Sequence, residues 1–318
     1  MKLFKKALSG VAVAVALAAS APVYASTVAA ADLDIFALGL VGLTGAPFTG
    51  FTIVSESRTG TADATYNGVQ AVQNGPGSIV GTGVGVTVNV LNRCAGNCVA
   101  GYALYGGPAA AENNGTFHRT GPGTVNYALG DMNISGSSLG IIDGLTRADA
   151  ETAGPPNIGG SNSTIKNAGS IFASFTVPTT FTGNVSVTAD WFLRAYVDSV
   201  FPTSGTSDAG FGWNMVVTSS DDSLFTKLSF APNDLNQSFF STKFLQNQLA
   251  QDNNTAGGRG QTYLSDTRTF SSGKTYNFSI NQSSNAAVSE NQIPEPASLA
   301  LVGLGLLGLV TSRRRKQV

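Results

Sequence analysis

Residues 185–198 read VSVTADWFLRAYVD, in which every second residue from Val185 to Val197 is apolar and the residues between them are mostly polar. Neighbouring residues of a β-strand point to opposite faces of a sheet, so this pattern predicts a strand with one buried and one polar face. Shorter runs with the same alternation cover residues 84–90, 171–177, 211–217 and 276–280. Strands with one buried and one polar face are typical of antiparallel sheets.

Turn signals rich in glycine and proline separate these runs. Glycine permits positive φ and proline fixes φ near −65°, so both residues favour tight turns. The chain has 318 residues with 38 glycines, and its charged fraction of 12% is about half the usual ~25%. We therefore predict a mainly β ectodomain over residues 26–280, folded as an antiparallel, jelly-roll-like β-sandwich.

Three segments do not carry the alternating pattern. Residues 143–169 are rich in Gly, Asn, Ser and Pro, and we expect a long loop there. Residues 238–251 contain helix-forming side chains and predict one short helix. Residues 281–292 read NQSSNAAVSENQ, a polar stretch that predicts a structureless linker after the ectodomain.

The N-terminus has the organisation of a secretory leader. Three lysines within residues 1–6 precede an apolar run over residues 7–20. Val23 and Ala25 supply small side chains at the −3 and −1 positions, which predicts a signal peptide over residues 1–25 that is cleaved between Ala25 and Ser26. The alternative is a signal anchor that stays attached. Either interpretation places the ectodomain outside the cytoplasm.

The charge distribution argues against a nucleic-acid partner. Three of the 18 basic residues lie in the leader and four in the tail, which leaves 11 basic against 18 acidic residues between them. This middle region has a formal net charge of −7, whereas phosphate binding needs clustered Lys and Arg. We expect no cofactor, although acidic loops of such a body could hold Ca²⁺.

Two cysteines, Cys94 and Cys98, lie in the turn-like stretch RCAGNC. An exported protein meets an oxidising environment, which favours a local disulfide between them. Free thiols are the alternative. A metal site would need two further ligands, and the one histidine of the chain, His118, is a single candidate.

Enzymatic signals are weak, and we expect no catalytic residues. His118 lies in a turn-rich loop, and the sequence contains no nucleophile-elbow motif. Asp221 and Asp222 are the one adjacent acidic pair, and they follow a predicted strand. The pair is typical of a solvated turn; a glycosidase pair or part of a Ca²⁺ site are the alternatives.

The polar face of the long strand is a candidate binding surface. Phe192, Arg194 and Tyr196 lie along it, about 6.6 Å apart in succession. Aromatic faces flanked by hydrogen-bonding groups suit sugars, because pyranose rings stack on apolar planes. The alternative is that a second packing layer covers Phe192 and Tyr196 while Arg194 pairs with an aspartate.

The C-terminal tail, residues 293–318, reads IPEPASLALVGLGLLGLVTSRRRKQV. Near its start the tail has the motif Pro294, Glu295 and Pro296, which is followed by an uncharged apolar run over residues 297–311. A basic cluster comes last and consists of Arg313, Arg314, Arg315 and Lys316. As a helix the apolar run would span about 22 Å, which is short for a bilayer core of roughly 30 Å. The basic cluster predicts a transmembrane helix with its C-terminal end in the cytoplasm.

This tail resembles the PEP-CTERM sorting signal of bacteria that make exopolysaccharide. The resemblance implies processing by an exosortase, a membrane-embedded transpeptidase-like enzyme that would recognise Pro294, Glu295 and Pro296. An ordinary membrane anchor is the alternative, although such a span usually has ~20 residues.

The sequence therefore predicts an exported structural protein that is anchored in the inner membrane before processing and then reaches the cell surface or the extracellular matrix. Exopolysaccharide is an expected partner at that location. A glycan-binding adhesin that uses the Phe192–Tyr196 face is the second hypothesis, and a secreted hydrolase is the third.

Overall fold

The computed structural model describes residues 26–70, 77–82, 88–96, 127–136, 139–140, 142–153, 157–166, 173–197, 204–242, 247–251 and 260–291. These residues form two antiparallel β-sheets and one 3₁₀ turn, Asn233–Leu235. Within these ranges no helix has the length and apolar character that a membrane crossing needs. The predicted transmembrane helix at 297–311 lies outside the described residues.

The first sheet has the strand order β16-β12-β1-β9-β8-β7, with β17 and β18 beside β12 and β2 beside β1. Its strands are β1 Ser26–Gly42, β2 Pro47–Phe48, β7 Val88–Gly96, β8 Tyr127–Gly136, β9 Ile142–Ala153, β12 Phe181–Val197, β16 Asn247–Gln251, β17 Gln261–Leu264 and β18 Arg268–Phe270.

The second sheet has the order β14-β13-β19-β10-β4-β5, with β15 beside β13, β11 beside β19, β3 beside β11 and β6 beside β4. Its strands are β3 Thr52–Ser55, β4 Ser57–Tyr66, β5 Val69–Gln70, β6 Gly77–Thr82, β10 Asn157–Lys166, β11 Ala173–Thr176, β13 Ser204–Ser219, β14 Leu228–Phe230, β15 Asn236–Thr242 and β19 Thr275–Asn291.

One apolar core joins the two sheets. It includes Leu33 and Leu193 from the first sheet and Trp213 and Phe278 from the second, all of them buried. The prediction from residues 185–198 is confirmed as far as Val197, because the side chains that alternate in β12 are buried on the core side. The mainly β, antiparallel architecture is therefore confirmed.

The prediction of a structureless linker over residues 281–292 is wrong for residues 281–291, which continue β19. In this stretch alternate residues point into the core, and three of them are the polar residues Gln282, Ser284 and Glu290. A search for alternating apolar residues misses such a strand because its inward positions are partly polar.

Hydrogen bonds to the opposite sheet explain how these polar side chains are buried. The Gln282 amide donates to the backbone oxygens of Leu33 and Gly144, at 2.8 Å each. The Ser284 hydroxyl donates to the Thr146 carbonyl oxygen at 3.0 Å. Buried polar groups with such partners avoid most of the cost of losing water. They therefore connect the middle of β19 to β1 and β9.

Two further predictions are wrong. The predicted loop over 143–169 contains most of β9 and all of β10, and the predicted helix over 238–251 contains most of β15 and all of β16. β9 lies between β1 and β8, and β10 lies between β19 and β4. Pairing on both sides fixes these strands despite their low intrinsic β-propensity, which tertiary context overrides.

Both ends of the described body lie at the same pole, here called the terminal pole. Ser26 is paired with Ala153, the Thr152 hydroxyl donates to the Glu290 carboxylate at 2.9 Å, and Asn291 ends β19. β19 extends away from this pole for 17 residues, which corresponds to roughly 55 Å. The body is therefore elongated along its strands, and its far pole is distant from both ends.

The far pole is closed by an aromatic cluster and a buried hydrogen bond. The Tyr276 ring contacts those of Phe225 and Phe270, with ring centroids 4.9 Å apart in each case. The Tyr276 hydroxyl donates to Asp222 Oδ2 at 2.6 Å and accepts from the Ser271 backbone N–H. Burial, and then this bond to Asp222, raise the pKa of Tyr276 to about 12. The same bond lowers the pKa of Asp222.

We predict that Gln282→Leu lowers the free energy of unfolding by about 1–3 kcal/mol, because it leaves buried carbonyl oxygens without their donor. Urea denaturation followed by circular dichroism measures this change. The control is Asn285→Ala on the exposed side of the same strand, which should cost no more than about 0.5 kcal/mol. Equal effects of the two substitutions would contradict the inward placement of Gln282.

We predict that Tyr276→Phe costs about 1.5–3 kcal/mol at neutral pH, because it removes a hydrogen bond to an ionised carboxylate. The ordinary pKa of aspartate is 3.8, and the folded pKa of Asp222 is lower. The contribution of ionised Asp222 is thus present above pH 3.8 and is lost as the pH falls through the lowered pKa. Urea denaturation at neutral and at acidic pH measures this contribution. The control is Tyr263→Phe, because the hydrogen bond of the Tyr263 hydroxyl is exposed to solvent. A cost that does not shrink in acid would refute the assignment.

Candidate functional site

The face of the first sheet that points away from the core carries most of its charged groups. In the strand register, Arg194 of β12 and Asp149 of β9 both lie opposite Ala30 of β1. One row further along, Phe192 and Arg147 both lie opposite Asp32. The predicted sugar-binding residues therefore share a face with a layer of acidic and basic side chains.

This face is not open to solvent at the predicted residues. Arg194 is 7% exposed, and Phe192 and Tyr196 are half-buried. The Arg194 guanidinium carbon lies 5.0 Å from the centroid of the Tyr196 ring, a cation–π distance. One side of that ring is therefore in contact with arginine.

The electrostatics of this face follow from burial. Burial raises the pKa of Asp32 to about 7, against the opposing charge of Arg147. Burial also lowers the pKa of Arg194, while Tyr196 and Asp149 act in the opposite direction. This geometry favours the packing alternative, in which Arg194 is balanced by a neighbouring aspartate. Sugar binding by Phe192, Arg194 and Tyr196 stays a prediction.

Asp221 and Asp222 organise the turn after β13. Both oxygens of Asp221 accept from the Thr275 backbone N–H at 3.1 Å, and the Ser219 hydroxyl donates to one of them. The Ser219 bond is the main cause that lowers the pKa of Asp221. Asp222 accepts a hydrogen bond from the Tyr276 hydroxyl. Each carboxylate thus holds a neighbouring segment in place, as in the turn interpretation.

The described residues provide little support for a metal site or for thiol chemistry. Across these ranges no group of three or more His, Cys, Asp or Glu side chains is arranged to hold a metal ion. Cys94 lies in β7, whereas Cys98 and His118 lie outside the described residues. The disulfide therefore stays a prediction. Ser26 is the first residue of β1, and Ala25 precedes the described region.

One surface was missed by reasoning from the sequence. Phe240 is 51% exposed on β15, and Asp208 lies opposite it on β13. The alternation in residues 204–219 indicates a polar side for β13. The neighbours across that side, however, depend on the pairing of three strands that are distant in sequence.

The end of β19 locates the start of the tail. Asn291 is the last residue of the strand, so the folded body reaches the residue immediately before position 292. The motif residues Pro294, Glu295 and Pro296 and the basic cluster over residues 313–316 lie outside the described ranges. Their interpretation rests on sequence.

In the comparison with protein families, the PEP-CTERM protein-sorting motif matches residues 292–316. No curated protein and no solved structure matches the chain. The motif indicates an exported protein that is sorted by an exosortase and is associated with the membrane before processing. The chain therefore carries a PEP-CTERM protein-sorting motif, which begins immediately after the last described strand of the body.

Proposed function

We propose that this protein is a structural component of the cell surface or extracellular matrix of an exopolysaccharide-producing bacterium, without enzymatic activity or a cofactor. Its body would be a jelly-roll-like β-sandwich that serves as a rigid spacer. The observation that carries this proposal is that β19 ends at Asn291, next to a sorting motif that begins at residue 292.

The order of events follows from the two ends of the chain. The leader over residues 1–25 directs export, and Ser26 becomes the first residue after cleavage. The apolar run over residues 297–311 then holds the chain in the inner membrane, with the basic residues 313–316 in the cytoplasm. Exosortase processing near Pro294–Pro296 releases the body or transfers it to the surface or matrix.

The fold suits this arrangement because both ends of the body share the terminal pole. From Asn291 to Pro294 is three residues, so the motif lies at most about 11 Å of extended chain from the folded body. β19 leads away from this pole for 17 residues. Before processing, the body would therefore project from the membrane with its far pole outermost.

The non-enzymatic role is supported by the use of the acidic pair. Asp221 and Asp222 accept hydrogen bonds from the backbone of residues 275 and 224 and from the hydroxyls of Ser219 and Tyr276. Such carboxylates stabilise a turn. Among the described residues no observation favours the hydrolase hypothesis, and an adhesin at Phe192–Tyr196 is disfavoured by the burial of Arg194.

We predict that replacing Pro294, Glu295 and Pro296 by alanine blocks processing. The variant should accumulate in the inner membrane with residues 313–316 intact, while the native protein loses its tail and leaves that fraction. Membrane fractionation with intact-mass measurement reads out both properties in the native host.

The matched control is Gln317→Ala, which lies just beyond the residues that match the sorting motif. It should be processed like the native protein. Normal processing and delivery of the triple-alanine variant would refute the proposal, as would retention of the basic cluster in surface material of the native protein.

A further inference from the structure

We propose that the outward face of the second sheet around Phe240 binds a neutral polysaccharide chain. This surface is called the Phe240 face and comprises Asp208, Gly210, Ser238, Phe240, Asn285 and Ala287. The inference rests on the proposed surface or matrix location, since it supplies the partner that the body would meet there. It concerns residues distinct from the Phe192–Tyr196 face.

Strand register brings these six residues together. In one row, Phe240 of β15 lies opposite Asp208 of β13, which in turn lies opposite Ala287 of β19. In the next row on the same face, Gly210 lies between two partners, Ser238 and Asn285. Residues directly opposite are about 5 Å apart between Cβ atoms, and successive rows are about 7 Å apart. The ring, carboxylate, hydroxyl and amide thus lie within one compact patch.

The patch is open to solvent. Phe240 is 51% exposed, and Asp208, Ser238, Asn285 and Ala287 are all exposed. The adjacent ring on the same strand, Phe239, packs against the core instead. β15 thus directs one of two consecutive phenylalanines into the core and keeps the other at the surface among polar groups.

The chemistry of the patch matches a sugar. An exposed aromatic ring offers an apolar plane on which the C–H face of a pyranose stacks. The Asp208 carboxylate accepts hydrogen bonds, the Asn285 amide both donates and accepts, and the Ser238 hydroxyl does either. Sugar hydroxyls need this mixture of donors and acceptors at the edge of a stacked ring.

Small residues at two positions of the patch leave space above the sheet for a ligand. Asn285 leans across Gly210, because a Cβ at position 210 would lie 3.0 Å from Asn285 Oδ1 and 3.3 Å from the Ser238 Cβ. Ala287 is the small neighbour in the row of Phe240. A linear chain can therefore lie across the sheet beside the ring without meeting a large side chain in these two rows.

The same observations argue against other partners. A protein interface usually has a core of several apolar side chains, whereas the six described residues of this patch include one ring together with polar and small groups. The Asp208 carboxylate repels phosphate and acidic sugars, and the body between leader and tail has a net charge of −7. A neutral polysaccharide satisfies both constraints.

Affinity gel electrophoresis tests the inference with protein purified from its host. Native gels contain hydroxyethyl cellulose, dextran or galactomannan, and retardation relative to a polysaccharide-free gel gives the affinity. We expect retardation by at least one of the three. Phe240→Ala should weaken that binding about tenfold, which is the size of one lost ring contact. Phe240→Tyr keeps the ring and should retain binding.

Two further variants separate binding from folding. Asp208→Asn keeps the shape of the patch and should weaken binding with an unchanged melting temperature. The matched control, Leu264→Ala, removes an apolar side chain that is 56% exposed on the first sheet and should leave retardation unchanged.

Three results would overturn the inference: no retardation in any of the three gels, equal retardation of Phe240→Ala and the native protein, or loss of binding in Leu264→Ala to the same degree. Light scattering gives a fourth. If the native protein is a dimer and Phe240→Ala converts it to a monomer, the ring binds a second copy of the chain and not a polysaccharide. These results leave tail processing untouched, so failure here is distinguishable from failure of the proposed function.

Discussion

The position of β19 is the constraint on which the rest of the structure depends. This strand lies between β13 and β10, so both halves of the second sheet pair with it. Its inward side chains Gln282, Ser284 and Glu290 bond to groups of the first sheet, which couples the two sheets through polar contacts inside the core. Because the sorting motif follows at residue 292, the stretch that completes the body also connects it to that motif. Folding and sorting thus share one piece of chain.

The strands that could be predicted from the sequence are those whose buried face is apolar throughout. β12 is the clearest example, since its inward positions from Val185 to Val197 are all apolar. β9, β10 and the second half of β19 could not be predicted, because polar or small residues occupy many of their positions and only pairing on both sides makes them strands. The sorting motif in the tail could be identified without a structure, because three adjacent sequence features in a fixed order define it.

The candidate surfaces show a second limit of prediction from sequence. Alternation assigns Arg194 and Tyr196 to one face, but burial decides what that face does, and Arg194 is 7% exposed. At the other sheet, Asp208, Phe240 and Asn285 come from three strands, and a register shift of one residue would reverse which of their side chains face the solvent. A surface of this kind becomes visible only when the pairing is known.

Residues 281–291 are a strand of the body and not a linker to the tail. The most direct measurement compares the unfolding of two truncated chains, one ending at Asn291 and the other at Ile280, by thermal circular dichroism. We expect a cooperative transition for the chain that ends at Asn291 and none for the chain that ends at Ile280, because the latter lacks the strand's contacts with β1, β9, β10 and β13. Cooperative unfolding of both chains at the same temperature would contradict this assignment.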